Sequence, residues 1–484
     1  MLTSVQEILK QLVPIYPEFV LIAFALSVLV VDMFLNGRYT HLLGWYSLIG
    51  IVIAASMTII LGGVQGAFFS GTVLLDPFSQ FFKLVFYLAC GLGILIAMKY
   101  LDIEDIHRGE YYALMLFATA GMMLMASAGD LITIYLGLEL MALSIYVLAG
   151  FMRKDSRSNE AGIKYLLLGA FSSGIMLYGM SLLYGLAGTT NLDGILAFLR
   201  TADLKNPVLF LSMVMLMVSF GFKVAAVPFH MWVPDVYEGA PTSVTAFMSA
   251  GPKVAGFAVL LRVFTHTLDP LHADISLLLS GLAVLTMAVG NVMALSQTNI
   301  KRMLAYSSIA HAGYALVGVA AGGQEGAASV MLYVLIYAVM NMGAFGVVIM
   351  LRKAGMRGEE ISDFAGLGKT NKTAAFLMLI FLFSLTGIPP MAGFVGKFYI
   401  FKSAVQAGMI WLAIVGVLFS AISAYFYLRV IMLMYMYDPK EEFGLVQSPA
   451  LALALAISVT AVIVIGVYPT PVLEFARASV AGLL

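Results

Sequence analysis

Fourteen apolar runs follow one another along the chain, at about 17 to 36, 42 to 62, 77 to 98, 111 to 128, 130 to 151, 161 to 187 and 207 to 227, then at about 242 to 265, 274 to 296, 302 to 320, 327 to 351, 373 to 404, 408 to 436 and 449 to 469. A bilayer's hydrocarbon core is about 30 Å thick, and a helix needs roughly 20 apolar residues to cross it. Inside lipid the backbone has to satisfy its own hydrogen bonds, so runs of this length are helices. The short alternating segments of a membrane β-barrel are absent. Charged residues make up 11% of the chain and mean hydropathy is +0.99, too few charges to cover a soluble surface, where about 25% is usual. The expected fold is therefore an all-α polytopic membrane protein of about 14 transmembrane helices.

Basic residues set the orientation, because loops rich in Lys and Arg stay on the cytoplasmic side. Arg38, then Lys99 with Arg108, then Arg153, Lys154 and Arg157 follow odd-numbered spans, as do Lys301 with Arg302 and Arg352, Lys353 and Arg357. The loops after spans two, four and ten hold no Lys or Arg. Both termini are thus expected outside. The first residues lack the basic start and cleavage site of a signal peptide, so the first span is expected in the mature protein.

Two spans are broken by proline. Span seven runs into GFKVAAVPFHMWVPDVYEGAPTSV, with Pro228, Pro234 and Pro241, and span twelve contains LTGIPPMAGFVGKFYIF, with Pro389 and Pro390. Broken helices at matching positions of two halves point to an inverted repeat around an ion path. The expected organisation is residues 1–110 for spans one to three, 111–270 for a first inverted repeat of five helices, 271–437 for a second, and 438–484 for the last span. YVLAG at 146–150 faintly echoes YALVG at 314–318.

Ionisable residues inside such runs need a reason, since a charge at the bilayer centre costs a few kcal/mol or more. Glu139 lies about nine residues into span five. It could carry a proton, tune a lysine, or simply pin helices together. Lys223 stands just before Pro228, where it could exchange a proton or merely cap the broken helix end. Lys253 follows Gly251 and Pro252, and Lys397 lies beside the second break as the topological counterpart of Lys223. His230 and His311 could bridge the lysines through water, since imidazole changes charge near neutral pH; each could equally be a packing residue. Asp32, Lys83, Lys164 and Arg262 sit near span ends and read as interfacial, with Glu160 and Lys164 spaced for an i,i+4 pair. Lys402 reads as a snorkelling lysine.

Other chemistries find no support. Lys plus Arg and Asp plus Glu balance at 26 each, which argues against nucleic acid as a partner. The single cysteine, Cys90, cannot build an intrachain disulfide, an Fe–S cluster or a zinc site of several thiolates. AGLGKT has Asp363 where a P-loop needs its earlier glycine, so nucleotide binding is not supported. No cofactor or metal is expected in this chain.

The segment FKVAAVPFHMWVPDVYEGAPTSVTAFMSAGPKVAGFAVLLR resembles the antiporter-like membrane subunits of respiratory complex I, the bacterial NADH-quinone oxidoreductase, and the likeness runs over essentially the whole chain. Within that family the wording is nearer to the N-type subunits than to types L and M, which typically read HTWLPDA before the break. A long C-terminal lateral helix, as in type L, is not expected. The resemblance implies that Glu139, Lys223, Lys253 and Lys397 form a proton relay coupled to electron transfer from NADH to quinone. It further implies the bacterial cytoplasmic (inner) membrane, lipids and sister antiporter-like subunits as partners, and NADH, FMN, Fe–S clusters and quinone held by partner subunits. The alternative function is a subunit of a multisubunit cation/proton antiporter.

Overall fold

The computed structural model describes residues 10–35, 40–106, 108–352, 358–439, 448–481 and 483. Arg38, Lys353 and Arg357, used above for orientation, lie outside them. In chain order the helices are α1 (Tyr16–Asp32), α2 (Thr40–Ile60), α3 (Pro77–Ile103), α4 (Glu110–Ala126), α5 (Leu131–Ala149), α6 (Ser156–Ala187), α7 (Leu192–Leu199), α8 (Pro207–Val224), α9 (Trp232–Gly239) and α10 (Thr242–Leu260). They continue with α11 (His272–Leu295), α12 (Ile300–Ala321), α13 (Gly323–Met350), α14 (Leu367–Thr370), α15 (Lys372–Thr386), α16 (Ala392–Gln406), α17 (Ile410–Met436), α18 (Pro449–Val467) and α19 (Thr470–Val480). Among the described residues, twelve helices are long and apolar enough to cross a membrane; the shorter α4 and the α15–α16 pair supply two more, giving the expected fourteen. A small antiparallel hairpin, β1 (Gly66–Phe68) with β2 (Val73–Leu75), sits between α2 and α3. The segment after residue 438, expected to hold one helix, holds α18 and the shorter α19.

Polar residues placed at the ends of apolar runs start the helices. Asp76 and Ser79 exchange side-chain and backbone hydrogen bonds at the head of α3, a capping box in the sense of satisfying free N–H groups at both ends of one turn. Asp130, Asp155, Asn206 and Asn299 cap α5, α6, α8 and α12 through their side chains. Helices α3, α10, α12 and α13 are enclosed, whereas α1, α2, α6, α17 and α18 keep broad apolar faces outward. Lipid gives helices no hydrophobic reason to associate, so close packing has to do it. On α4, a Cβ at Gly121 would lie 2.5 Å from the backbone nitrogen of Met141 on α5. Gly121→Val should therefore destabilise the chain by about 1–3 kcal/mol, checked by the unfolding midpoint in detergent.

Both breaks are real. After α8 the chain turns at Ala225, a non-glycine residue in the left-handed region at φ 66, and after α15 at Gly387, φ 90. The carbonyls freed there are taken by side chains: the indole of Trp232 donates to the carbonyl of Phe222 at 3.1 Å, and the Lys397 amine to those of Leu385 and Thr386 at 3.1 and 2.9 Å. Pro252 leaves the Met248 carbonyl without its helical donor, and the Tyr237 hydroxyl supplies one at 3.4 Å.

Two matching clasps join the ends of the spans. At the start of α5, Leu131 N donates to Thr190 O (3.0 Å) and Leu192 N to Gly129 O (2.9 Å); at the start of α12, Ile300 N donates to Glu359 O and Ile361 N to Thr298 O, both at 2.7 Å. Each clasp ties the head of one span to the segment following the next span. Five spans separate them, so they lie at opposite faces of the bundle.

Candidate functional site

Helices α5, α8, α10, α12, α13, α16 and α17 bring ionisable and hydroxyl side chains together in the enclosed middle of the bundle. The first of these is Glu139, half-buried between α5 and α6, whose carboxylate accepts a short hydrogen bond from Ser173. Two turns further along the same face of α5 is Tyr146. Its hydroxyl accepts from the amine of Lys223, 3.3 Å away, and its ring lies 5.6 Å from that amine. Glu139 and Lys223 are therefore not within ion-pair distance of each other. The seven-residue offset along α5 puts a tyrosine against the lysine and leaves the carboxylate to a serine on α6. Lys223 does not cap α8 either, because Trp232 has taken that role.

From Lys223 a row of rings leads inward. Tyr146 packs edge-on against Tyr165 at 4.7 Å, Tyr165 stacks on Trp232 at 4.3 Å, and Trp232 meets Tyr237 edge-on at 6.0 Å. The Tyr237 ring lies 5.9 Å from the amine of Lys253. Lys253 is in the middle of a continuous α10, 3% exposed. Its amine donates to the carbonyl of Ser308 on α12 at 2.9 Å and, in a short contact, to that serine's hydroxyl.

Between Lys253 and His311 is a cavity of about 10 Å³, lined by Ser308, Tyr333 and Tyr337 among others. That is on the order of the volume one water molecule needs, and among the described residues the buried Tyr337 hydroxyl beside it makes no hydrogen bond. His311 is held by two tyrosine hydroxyls, Tyr333 at 2.6 Å on Nδ1 and Tyr427 at 3.2 Å on Nε2. Its neighbour on α12, Tyr314, places its ring 4.8 Å from the amine of Lys397. That amine donates to Leu385 O, Thr386 O and Ser420 Oγ (2.8 Å), three acceptors for the three hydrogens of an ammonium group. Lys397 thus reaches its break from the second half-helix and caps the first, whereas Lys223 stands on the first half-helix of its own break. His230 lies in the first break, half-buried, and its buried Nδ1 has no hydrogen-bond partner among the described residues.

One property separates these lysines from the rest. The other deeply buried cations are paired: Lys83 with Glu18 at 2.7 Å, Arg262 with Asp76 at 2.9 Å, Lys301 with Glu359 at 3.4 Å, and Arg352 with Glu359 at 3.0 Å and with Glu104. Lys223, Lys253 and Lys397, each at most 4% exposed, have no carboxylate within ion-pair distance among the described residues. The interfacial reading of Lys83 and Arg262 is corrected accordingly: both are buried, and their acidic partners come from segments far away in sequence. Asp32 accepts from the backbone of Gly109 at 2.8 Å. Lys164, half-exposed, pairs with Glu160 at 2.6 Å as its spacing implied and also with Asp235 at 2.9 Å. Lys369 of AGLGKT donates to Asp438 at 2.6 Å, holding that carboxyl below the usual carboxylate range.

Sequence reasoning missed the hydroxyl partners Ser173, Ser308 and Ser420 and the tyrosines. One signal was present. The YVLAG and YALVG echo places Tyr146 and Tyr314 on the fifth and tenth spans, and each meets the lysine beside the broken helix of its own half.

Residues 128–423 match the family described as NADH:quinone oxidoreductase/Mrp antiporter, TM. The chain is 51% identical over 468 residues, 96% of each chain, to NADH-quinone oxidoreductase subunit N of Trichlorobacter lovleyi. It is 49% identical over 466 residues, 96% of this chain and 97% of the relative, to subunit N 2 of Rhizobium meliloti. Among solved structures it resembles a chain of respiratory complex I from Thermus thermophilus with bound aureothin, with TM-score 0.81 and 31% identity over 96% of this chain and 100% of that one. A chain of the Mrp complex from Dietzia sp. shares the fold, with TM-score 0.84 and 22% identity over 98% of this chain and 97% of that one. With two relatives near half identity end to end and its buried lysines standing on the family's membrane segment, the chain belongs to the subunit N family of NADH-quinone oxidoreductase.

Proposed function

We propose that this chain is a proton-translocating membrane subunit of a bacterial NADH-quinone oxidoreductase, and that Glu139, Lys223, Lys253, His311 and Lys397 carry the proton. The observation that supports this most is the set of three buried amines without a carboxylate. An unbalanced charge held out of water is expensive, so a lysine in that position exchanges its proton instead of holding a fixed ion pair. Hydroxyls, an imidazole and a water-sized cavity lie between the stations, which are the groups that pass protons over short distances.

In this reading NADH, FMN, Fe–S clusters and quinone are held by partner subunits, and no bond-making step takes place in this chain. Glu139, half-buried at the flank, takes the signal from a neighbouring membrane subunit, and Tyr146 carries its effect to Lys223. The proton then moves along Lys253, the cavity and His311 to Lys397. His230 is left out of this path. The matching clasps, the paired breaks and the equivalent tyrosines support two inverted repeats at 111–270 and 271–437. The distribution of basic residues supports the cytoplasmic membrane with both termini outside.

Lys223→Ala in the assembled enzyme should lower the number of protons moved per NADH oxidised while the complex still assembles. An unchanged ratio in proteoliposomes removes Lys223 from the path.

A further inference from the structure

Two adjoining cavities lie outside the relay, at the membrane edge between α1, α4 and α5. One is a cleft of about 310 Å³ walled by Leu29, Leu114, Phe117, Val147 and Phe151. The other is an open polar bowl of about 700 Å³ bordered by Arg108, Arg153 and Lys154 with Glu104, Asp105 and Asp155. Arg108, Phe151 and Arg153 line both, so the two guanidiniums stand where the lining changes from apolar to polar. Both arginines are exposed, and neither side chain has a hydrogen-bond or ion-pair partner among the described residues. Of the acids nearby, Glu104 is taken up by Arg352 and Asp155 caps α6 by accepting from Arg157 N at 3.0 Å. Glu110, in the first turn of α4, is the one acid lining the cleft itself among the described residues. Val147 is 56% exposed, so the cleft opens sideways at the flank of the bundle.

We infer that this is a binding site for an anionic phospholipid, with an acyl chain in the cleft and the phosphate between Arg108 and Arg153. The shape is that of an amphiphile. The depth fits as well, because the site lies between the first turn of α4 and the end of α5, at the face where the loops after spans three and five gather basic residues. Basic pockets between helices at that face take acidic head groups. The site depends on the chain lying in a membrane and is independent of the proton path, so its failure leaves that reading untouched.

The test is native mass spectrometry of the full-length chain in detergent, titrated in parallel with phosphatidylglycerol, phosphatidylcholine and inorganic phosphate. Each arginine near a phosphate adds about fivefold to affinity, so phosphatidylglycerol should be preferred over phosphatidylcholine by roughly 25-fold. Arg108→Gln with Arg153→Gln should bring that preference to within about twofold. Leu114→Trp fills the cleft without changing charge and should also weaken phosphatidylglycerol, which distinguishes a lipid from a bare phosphate. A wild-type preference retained in both variants, or inorganic phosphate binding as well as the lipid, overturns the proposal. So does the loss of the bound lipid when the chain is incorporated into the whole complex, since a neighbouring subunit would then fill the cleft.

Discussion

Lys253→Met is expected to cut the proton flux carried by this chain by roughly a hundredfold, the scale on which a single proton-transfer group acts, while changing stability by less than about 1 kcal/mol. Among the described residues the amine of Lys253 donates only to Ser308 and neutralises no carboxylate. Removing it therefore leaves no orphaned charge, and methionine fills a similar volume. The checks are the ratio of protons moved to NADH oxidised in proteoliposomes and the unfolding midpoint of the purified chain. A normal ratio with Met at this position removes Lys253 from the path.

Lys83→Met should do the reverse. Lys83 and Glu18 are 1% and 2% exposed and 2.7 Å apart, and the Glu18 oxygens have no other donor among the described residues. Taking away one member of a buried pair strands the other, at about 3–5 kcal/mol. The double variant Lys83→Met with Glu18→Gln removes both charges and should recover most of that loss. The midpoint of unfolding reads the effect. If both single variants at Lys83 and Lys253 lose stability equally, pairing does not divide structural from functional lysines in this bundle.

The sequence showed the stations of the site more readily than the links between them. Glu139, Lys223, Lys253 and Lys397 are conspicuous because a charge in apolar text has few explanations. A tyrosine or serine in a membrane helix has many, so Tyr146, Tyr333, Tyr427 and Ser308 drew no attention although they fill the intervals. Glu18 escaped for a related reason: near the start of a span a carboxylate reads as interfacial, and only the fold brings Lys83 to it from two spans away. His230 and His311 looked alike in sequence; packing gives His311 two hydroxyl partners and leaves His230 in the break. Spans were legible from hydropathy, whereas the short helices α7 and α19 escaped because their residues alternate between apolar and polar faces.

The cavity beside Lys253 bears on how the membrane stays sealed. A route wet from face to face would short-circuit the enzyme, because each proton returning down a potential of 100 mV releases about 2.3 kcal/mol. On the proposed path, a link with room for about one water would act as a fuse. It would conduct only while a water bridged Lys253 and His311, and without that water the rings of Tyr333 and Tyr337 would separate the two stations.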